Sequence, residues 1–293
     1  MEYKEFLESK KRSFLESGFN VELSSLNPLL KDFQKYGVQT ALQKGRFAFF
    51  FDCGLGKTFC QLEYAHHVNM HTNKPVLILA PLAIIQQTIN EGAKFGIDIY
   101  EYDFECTPYE NEPDIFITNY EQLKNIDTNV FSGVILDESS ILKGKDGKTS
   151  SLIINKFKNT PYKLACTATP SPNDYMELGQ HSEFLGGMTY QEMLAMYFVH
   201  DGGETSKWRL RKHAEDDFWK YVCTWSMAID HPRTLGFDGS GYDLPEIEYI
   251  EHVIEVVNNT SALFSDDAVS ATDLHEDLKR SFDERIAKTI ELV

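Results

Sequence analysis

The chain has 293 residues, 42% of them hydrophobic and 25% charged, which leaves room for one large domain or two ordinary ones around a real core. Its formal net charge is −17, with 28 Lys and Arg against 45 Asp and Glu, so a nucleic-acid partner would have to be met by positive charge concentrated along one cleft. The longest apolar runs, around Phe47 to Phe51 and Val76 to Ala80, are strand-length and far short of the roughly 20 residues of a spanning helix, so no membrane span is expected. The start, Met1-Glu2-Tyr3-Lys4-Glu5, lacks the apolar core of a secretory signal, and a cytoplasmic location is expected. Cys53, Cys60, Cys106, Cys166 and Cys223 form no Cys-x-x-Cys pair, which argues against a zinc site or a disulfide scaffold.

In chain order, residues 1–25 place Phe6, Leu7, Phe14 and Leu15 at loosely helical spacing and predict an N-terminal helix. Residues 26–187 alternate strand-like runs with helix-sized segments: Arg46 to Asp52, Pro75 to Ala80, Asp114 to Tyr120, Gly133 to Asp137 and Tyr162 to Thr169 are the predicted strands. Apolar strands without strict alternation, separated by helices, predict a parallel sheet covered on both faces, an α/β fold of the RecA-like P-loop type. Residues 188–245 are rich in aromatic side chains (Tyr190, Tyr197, Phe198, Trp208, Phe218, Trp219, Tyr221, Trp225) and predict a mostly helical connector or insertion. Core packing is the commoner use of such a cluster. Residues 246–293 are expected to begin a second α/β lobe that is cut off: Glu246 to Val257 could open a sheet, and Leu274, Leu278, Phe282, Ile286 and Ile290 form a helical stripe with nothing to stop it before Val293.

The strongest chemical signal is Cys53-Gly54-Leu55-Gly56-Lys57-Thr58, lying between the strand ending at Asp52 and the helical segment Phe59 to Met70. Polyphosphate binding needs backbone N–H groups that can converge on oxygens at a helix N-terminus, and Gly54 and Gly56 permit that approach around Leu55. Lys57 would reach the β- and γ-phosphates of ATP, and the Thr58 hydroxyl would join the Mg²⁺ shell. The strict pattern asks for Gly at position 51, where this chain has Phe51. Val134-Ile135-Leu136-Asp137-Glu138-Ser139-Ser140 has the form of a Walker B element: Asp137 would hold Mg²⁺ through water, and Glu138 would orient and deprotonate the attacking water.

With Cys166-Thr167-Ala168-Thr169-Pro170 following at the end of the next strand, this order resembles superfamily 2 helicases and translocases. Pro170 to Leu178, with Glu183-Phe184-Leu185, resembles the stretch after motif III in the Swi/Snf type, nearest to the DEAD/DEAH-type helicases of phages and prophages. The resemblance covers roughly residues 26–257. It implies that Leu30-Lys31-Asp32-Phe33-Gln34 is the glutamine motif, with Gln34 reading the adenine edge, and that Thr167 and Thr169 couple hydrolysis to movement. It also implies nucleic-acid contacts by Pro81, in Ala80-Pro81-Leu82, and by Thr118 and Tyr120, in Thr118-Asn119-Tyr120. For each of these, ordinary packing is as good a reading. Asp137-Glu138-Ser139-Ser140 departs from the usual fourth residue of the Walker B motif. The arginines that meet the γ-phosphate in this family come from a second lobe, expected in the full-length chain or in another chain.

The expected function is therefore an ATP-dependent nucleic-acid motor, with DNA the favoured polymer and strand separation an open alternative to translocation. A nucleotide-gated binding module without motor activity is the competing reading. The acidic charge fits that module best.

Overall fold

A computed structural model describes residues 16–104, 114–143, 147–201, 204–243, 245, 248–253, 278–279 and 281–292. In chain order the strands are β1 (Arg46–Phe51), β2 (Val76–Ala80), β3 (Ile99–Glu101), β4 (Ile115–Asn119), β5 (Gly133–Asp137), β6 (Tyr162–Cys166), β7 (Phe198–Asp201), β8 (Glu204–Leu210) and β9 (Ser226–Ile229). The helices are α1 (Asp32–Lys44), α2 (Lys57–Thr72), α3 (Ile85–Phe95), α4 (Lys148–Lys156), α5 (Leu178–Phe184), α6 (Tyr190–Tyr197), α7 (Glu215–Trp225) and α8 (Phe282–Leu292). The chain divides into two compact units, Met1–Asp243 and Leu244–Val293.

Seven strands make one sheet in the order β3-β4-β2-β5-β6-β1-β9, and every pairing in it is parallel. Successive side chains of β1 leave opposite faces of this sheet. Phe47, Phe49 and Phe51 join one core with Val38 and Leu42 of α1, Leu62 and Val68 of α2, and Ile85 of α3. Ala48 and Phe50 join the other, with Ile153 of α4, Phe184 of α5, Met193 of α6 and Trp225 of α7. A strand wrapped on both faces has no polar side to show, which is why β1 reads Arg-Phe-Ala-Phe-Phe-Phe without alternation. Each buried Phe contributes about 1.5–3 kcal/mol of transfer free energy.

The structure adds to the sequence reading between residues 188 and 245, and most of the expected N-terminal helix and second lobe lies outside the described residues. In the predicted N-terminal helix, residues 16–22 are irregular and Leu23–Ser25 is a single 3₁₀ turn; Phe6, Leu7, Phe14 and Leu15 lie outside the described residues. The stretch 188–245 is more than a helical connector. It holds the antiparallel hairpin β7–β8 and sends β9 to pair with β1 at the edge of the main sheet. Phe218 and Trp225 are fully buried, so this segment completes the core. In the proposed second lobe, residues 248–253 form no strand, and Glu246, Leu274 and residues 254–257 lie outside the described residues. The helical stripe is present in part: Phe282, Ile286 and Ile290 lie on α8, and all three are exposed.

Candidate ATP-binding site

Because the sheet is parallel, the C-terminal ends of β1, β2, β5 and β6 emerge along one edge. A ligand site in an open α/β sheet forms at that edge. β1 ends at Phe51 and α2 starts at Lys57, so Asp52 to Gly56 are the whole connection. Phe51, where the strict motif has glycine, is the last residue of the strand and is fully buried. The loop gets its turn from Gly54 and Gly56, at φ +81° and +76°, a region that costs an L side chain strain. A Cβ on Gly56 would also lie 2.3 Å from Gln34 Nε2. Leu55 points inward and is buried in the core, so it anchors the loop while its backbone faces the site.

Gln34 holds that anchor. It is the third residue of α1 and is buried, its Oε1 accepting from the Lys31 N–H at 2.9 Å and its Nε2 donating to the Leu55 carbonyl at 2.9 Å. One N–H and one acceptor lone pair of the amide remain for another group. Lys57 Nζ donates to the carbonyls of Phe51 (2.9 Å) and Asp52 (3.2 Å), which hold the ammonium beside the loop. Thr58, half-buried, follows in the first turn of α2.

β5 delivers Asp137 and Glu138 to the same edge. Asp137 is 8% exposed; burial raises its pKa, the Gln61 amide lowers it, and Glu138 raises it again. Glu138 has φ +56°, unusual for a side chain other than glycine and costly enough to need support from its surroundings. That support comes from just past the end of β6: the Thr167 hydroxyl donates to Glu138 Oε1 at 2.7 Å. The Thr169 N–H donates to Thr167 Oγ1 at 3.0 Å, and Lys143 Nζ reaches Thr169 Oγ1 at 3.2 Å. Lys57, Asp137, Glu138, Thr167 and Thr169 thus converge on one side of the sheet from three strands.

Two further contacts brace the carboxylates. The Tyr120 hydroxyl donates to the Asp137 carbonyl at 2.7 Å, and Ser139 Oγ shares a hydrogen bond of 3.1 Å with His181 Nε2. His181 is fully buried on α5, and burial pushes its pKa down to about 4, so the ring is neutral. Ser140, the departure at the fourth motif position, is half-buried beside them.

The predicted nucleic-acid contacts divide. Pro81 is half-exposed and precedes a 3₁₀ turn whose Leu82 is 65% exposed, so these two residues reach the surface while Ala80 is buried. Thr118 and Tyr120 both have buried side chains, and Tyr120 donates its hydroxyl to the Asp137 carbonyl. Asn119 between them caps the following turn, accepting from the Glu121 and Gln122 N–H groups. Sequence reasoning missed Gln61, Lys143 and His181. Gln61 had a signal, since it lies one helical turn after Lys57 and must share its face. His181 had none, because its partner Ser139 lies 42 residues away in sequence.

Among the described residues no helix is long and apolar enough to cross a membrane, and Cys53, Cys60, Cys166 and Cys223 are free thiols. Cys106 lies outside the described residues.

A family model described as type III restriction enzyme, res subunit, matches residues 22–172, a little over half of the chain. No curated protein matches it in sequence. Among solved structures, the Sulfolobus solfataricus SWI2/SNF2 ATPase core in complex with dsDNA superimposes with a TM-score of 0.60 at 18% identity, over 72% of this chain and 47% of that one. The SWI2/SNF2 ATPase core domain of the same organism gives 0.54 at 20% identity, over 75% and 46%. The chain therefore spans about half the length of these two structures. At these identities the likeness is one of fold: a RecA-like lobe, a parallel seven-stranded sheet flanked by helices.

Proposed function

The chain belongs to the family described as type III restriction enzyme, res subunit, and from that premise we propose that its Met1–Asp243 unit is the ATP-binding and hydrolysing lobe of a nucleic-acid translocase or helicase. The observation that carries the reading is the 2.7 Å hydrogen bond from Thr167 to Glu138. A carboxylate that activates water needs no partner from the next strand to do so. A motor does need a link through which hydrolysis is felt elsewhere, and Glu138-Thr167-Thr169 supplies it.

Gly54, Leu55 and Gly56 would present backbone N–H groups to the phosphates of ATP, and Lys57 would exchange the Phe51 and Asp52 carbonyls for phosphate oxygens. Gln34 would offer its remaining donor and acceptor to the adenine edge while keeping its hold on Leu55. The residues also fit Mg²⁺: Asp137 is a buried carboxylate whose charge is penalised by burial, beside a Gln61 amide that makes no hydrogen bond of regular geometry. Thr58 and Asp137 would hold the ion, Asp137 through water, and when bound it neutralises phosphate charge. Glu138 would orient the attacking water and take its proton, with Thr167 fixing the carboxylate oxygen that does not.

Duplex DNA is the favoured polymer, because a protein of the same fold is described in complex with dsDNA. Pro81 and the exposed Leu82 lie where a strand could run along the sheet edge. Arginines facing the γ-phosphate would come from a second RecA-like lobe, and turnover by this lobe alone would be slow. A phage or bacterial setting, in the cytoplasm, accords with the resemblance of its motifs. The test is Mg²⁺-dependent ATP hydrolysis by the intact polypeptide with and without duplex DNA, single-stranded DNA and RNA, in the parent, Lys57→Ala and Glu138→Gln. Stimulation by DNA that both substitutions abolish is the expected result. ATP binding with no response to any polymer would overturn it in favour of the nucleotide-gated module, which the charge of −17 favours.

A further inference from the structure

Gln61 is the one described residue buried on the phosphate-loop helix whose two side-chain polar atoms both lack a hydrogen bond of regular geometry. It is 0% exposed. An amide in that position forfeits bonds that water would have made, and a Leu or Met would fill the same space without the penalty. Its surroundings say what the amide is for. Gln61 lies one turn after Lys57 on α2, on the same face, and α2 packs on β5. The amide lies close enough to the Asp137 carboxylate to favour its charged form. Asp137 is itself buried, with Glu138 and Lys57 as its charged neighbours.

We propose that Gln61 is a positioning residue for the divalent cation, holding the Asp137 carboxylate in line and offering its second polar atom to a water of the ion's shell. This rests on the ATP-binding reading above. The amide, poorly satisfied by Asp137 alone, is then a group set out for the ion-bound state. Such a residue trades stability of the unliganded protein for order in the loaded site.

The trade makes opposite predictions for two readouts. In Gln61→Met the thermal midpoint of the unliganded protein should rise by roughly 2–4 °C, as expected when about 1 kcal/mol is regained in a unit of this size. The Mg²⁺ concentration giving half-maximal binding of a fluorescent ADP should rise about tenfold. Gln61→Glu keeps an oxygen for the ion's water but adds a carboxylate beside Asp137. Its unliganded midpoint should fall, and its Mg²⁺ half-saturation should stay within about twofold of the parent. A Gln61→Met protein with a lower midpoint, or with the parent's Mg²⁺ half-saturation, would overturn the proposal and make Gln61 a packing residue. Failure of the underlying reading shows elsewhere, in a parent protein that binds the nucleotide equally with and without Mg²⁺, and the proposal falls with it.

Discussion

Replacing Gln34 by Ala separates two jobs that the same amide could do. In the structure it ties the start of α1 to the phosphate loop, through Lys31 N–H to Oε1 at 2.9 Å and Nε2–H to Leu55 O at 2.9 Å. A net hydrogen bond contributes about 0.5–1.5 kcal/mol, so losing both costs about 1–3 kcal/mol of stability, most of it felt at the loop because Leu55 O is left short of a donor. A loop that must be ordered again when phosphate arrives loses affinity by the same currency, and about 1.4 kcal/mol is tenfold. Competition binding against ATP, GTP and inorganic tripolyphosphate reads this out. For Gln34→Ala the tripolyphosphate affinity is expected to fall about tenfold, GTP by a similar factor, and ATP by more, since adenine loses its own contact as well. Gln34→Glu keeps the acceptor for Lys31 but turns an oxygen toward the Leu55 carbonyl, and should weaken all three at least as much. If tripolyphosphate affinity and urea stability are unchanged in Gln34→Ala while ATP alone weakens, the loop-holding role is wrong and the residue reads adenine only.

Two more expectations follow from the bracing of the carboxylates. His181 is held neutral by burial, with its pKa pushed down from 6.5 to about 4. Protonation is then easier in the unfolded chain, so the stability it contributes is complete above pH 6.5 and lost as pH falls toward 4, by about 3 kcal/mol across that window. Urea titrations at pH 7 and pH 4.5 should show a steeper loss in the parent than in His181→Gln, and parallel losses would refute the assignment. Tyr120→Phe removes the hydroxyl from the Asp137 carbonyl, costing about 1–2 kcal/mol in denaturation while leaving nucleic-acid affinity untouched. A loss of affinity without a loss of stability would restore the strand-contact role that its burial argues against.

The parallel sheet and the loop chemistry are legible in the amino-acid order because both are written locally. Runs such as Val134-Ile135-Leu136 have no polar face to turn outward, and a strand of that kind must be covered on both sides. Gly54, Gly56, Lys57 and Thr58 sit within five positions, so backbone geometry alone brings them together. Tertiary structure decided what depends on distant partners. That β9 closes the sheet beside β1 could not be seen in Ser226 to Ile229, a short run whose fate rests on an edge left open by strands far earlier in the chain. Tyr120 and Thr118 look the same in sequence whether they face a nucleic acid or a core, and only the packing of β4 and of the 3₁₀ turn after it buries them. The hydrogen bonds from Gln34 to Leu55, Thr167 to Glu138 and Ser139 to His181 span 21, 29 and 42 residues. At such separations no periodicity carries information, and a side chain's partner is fixed only when the fold closes the loop between them.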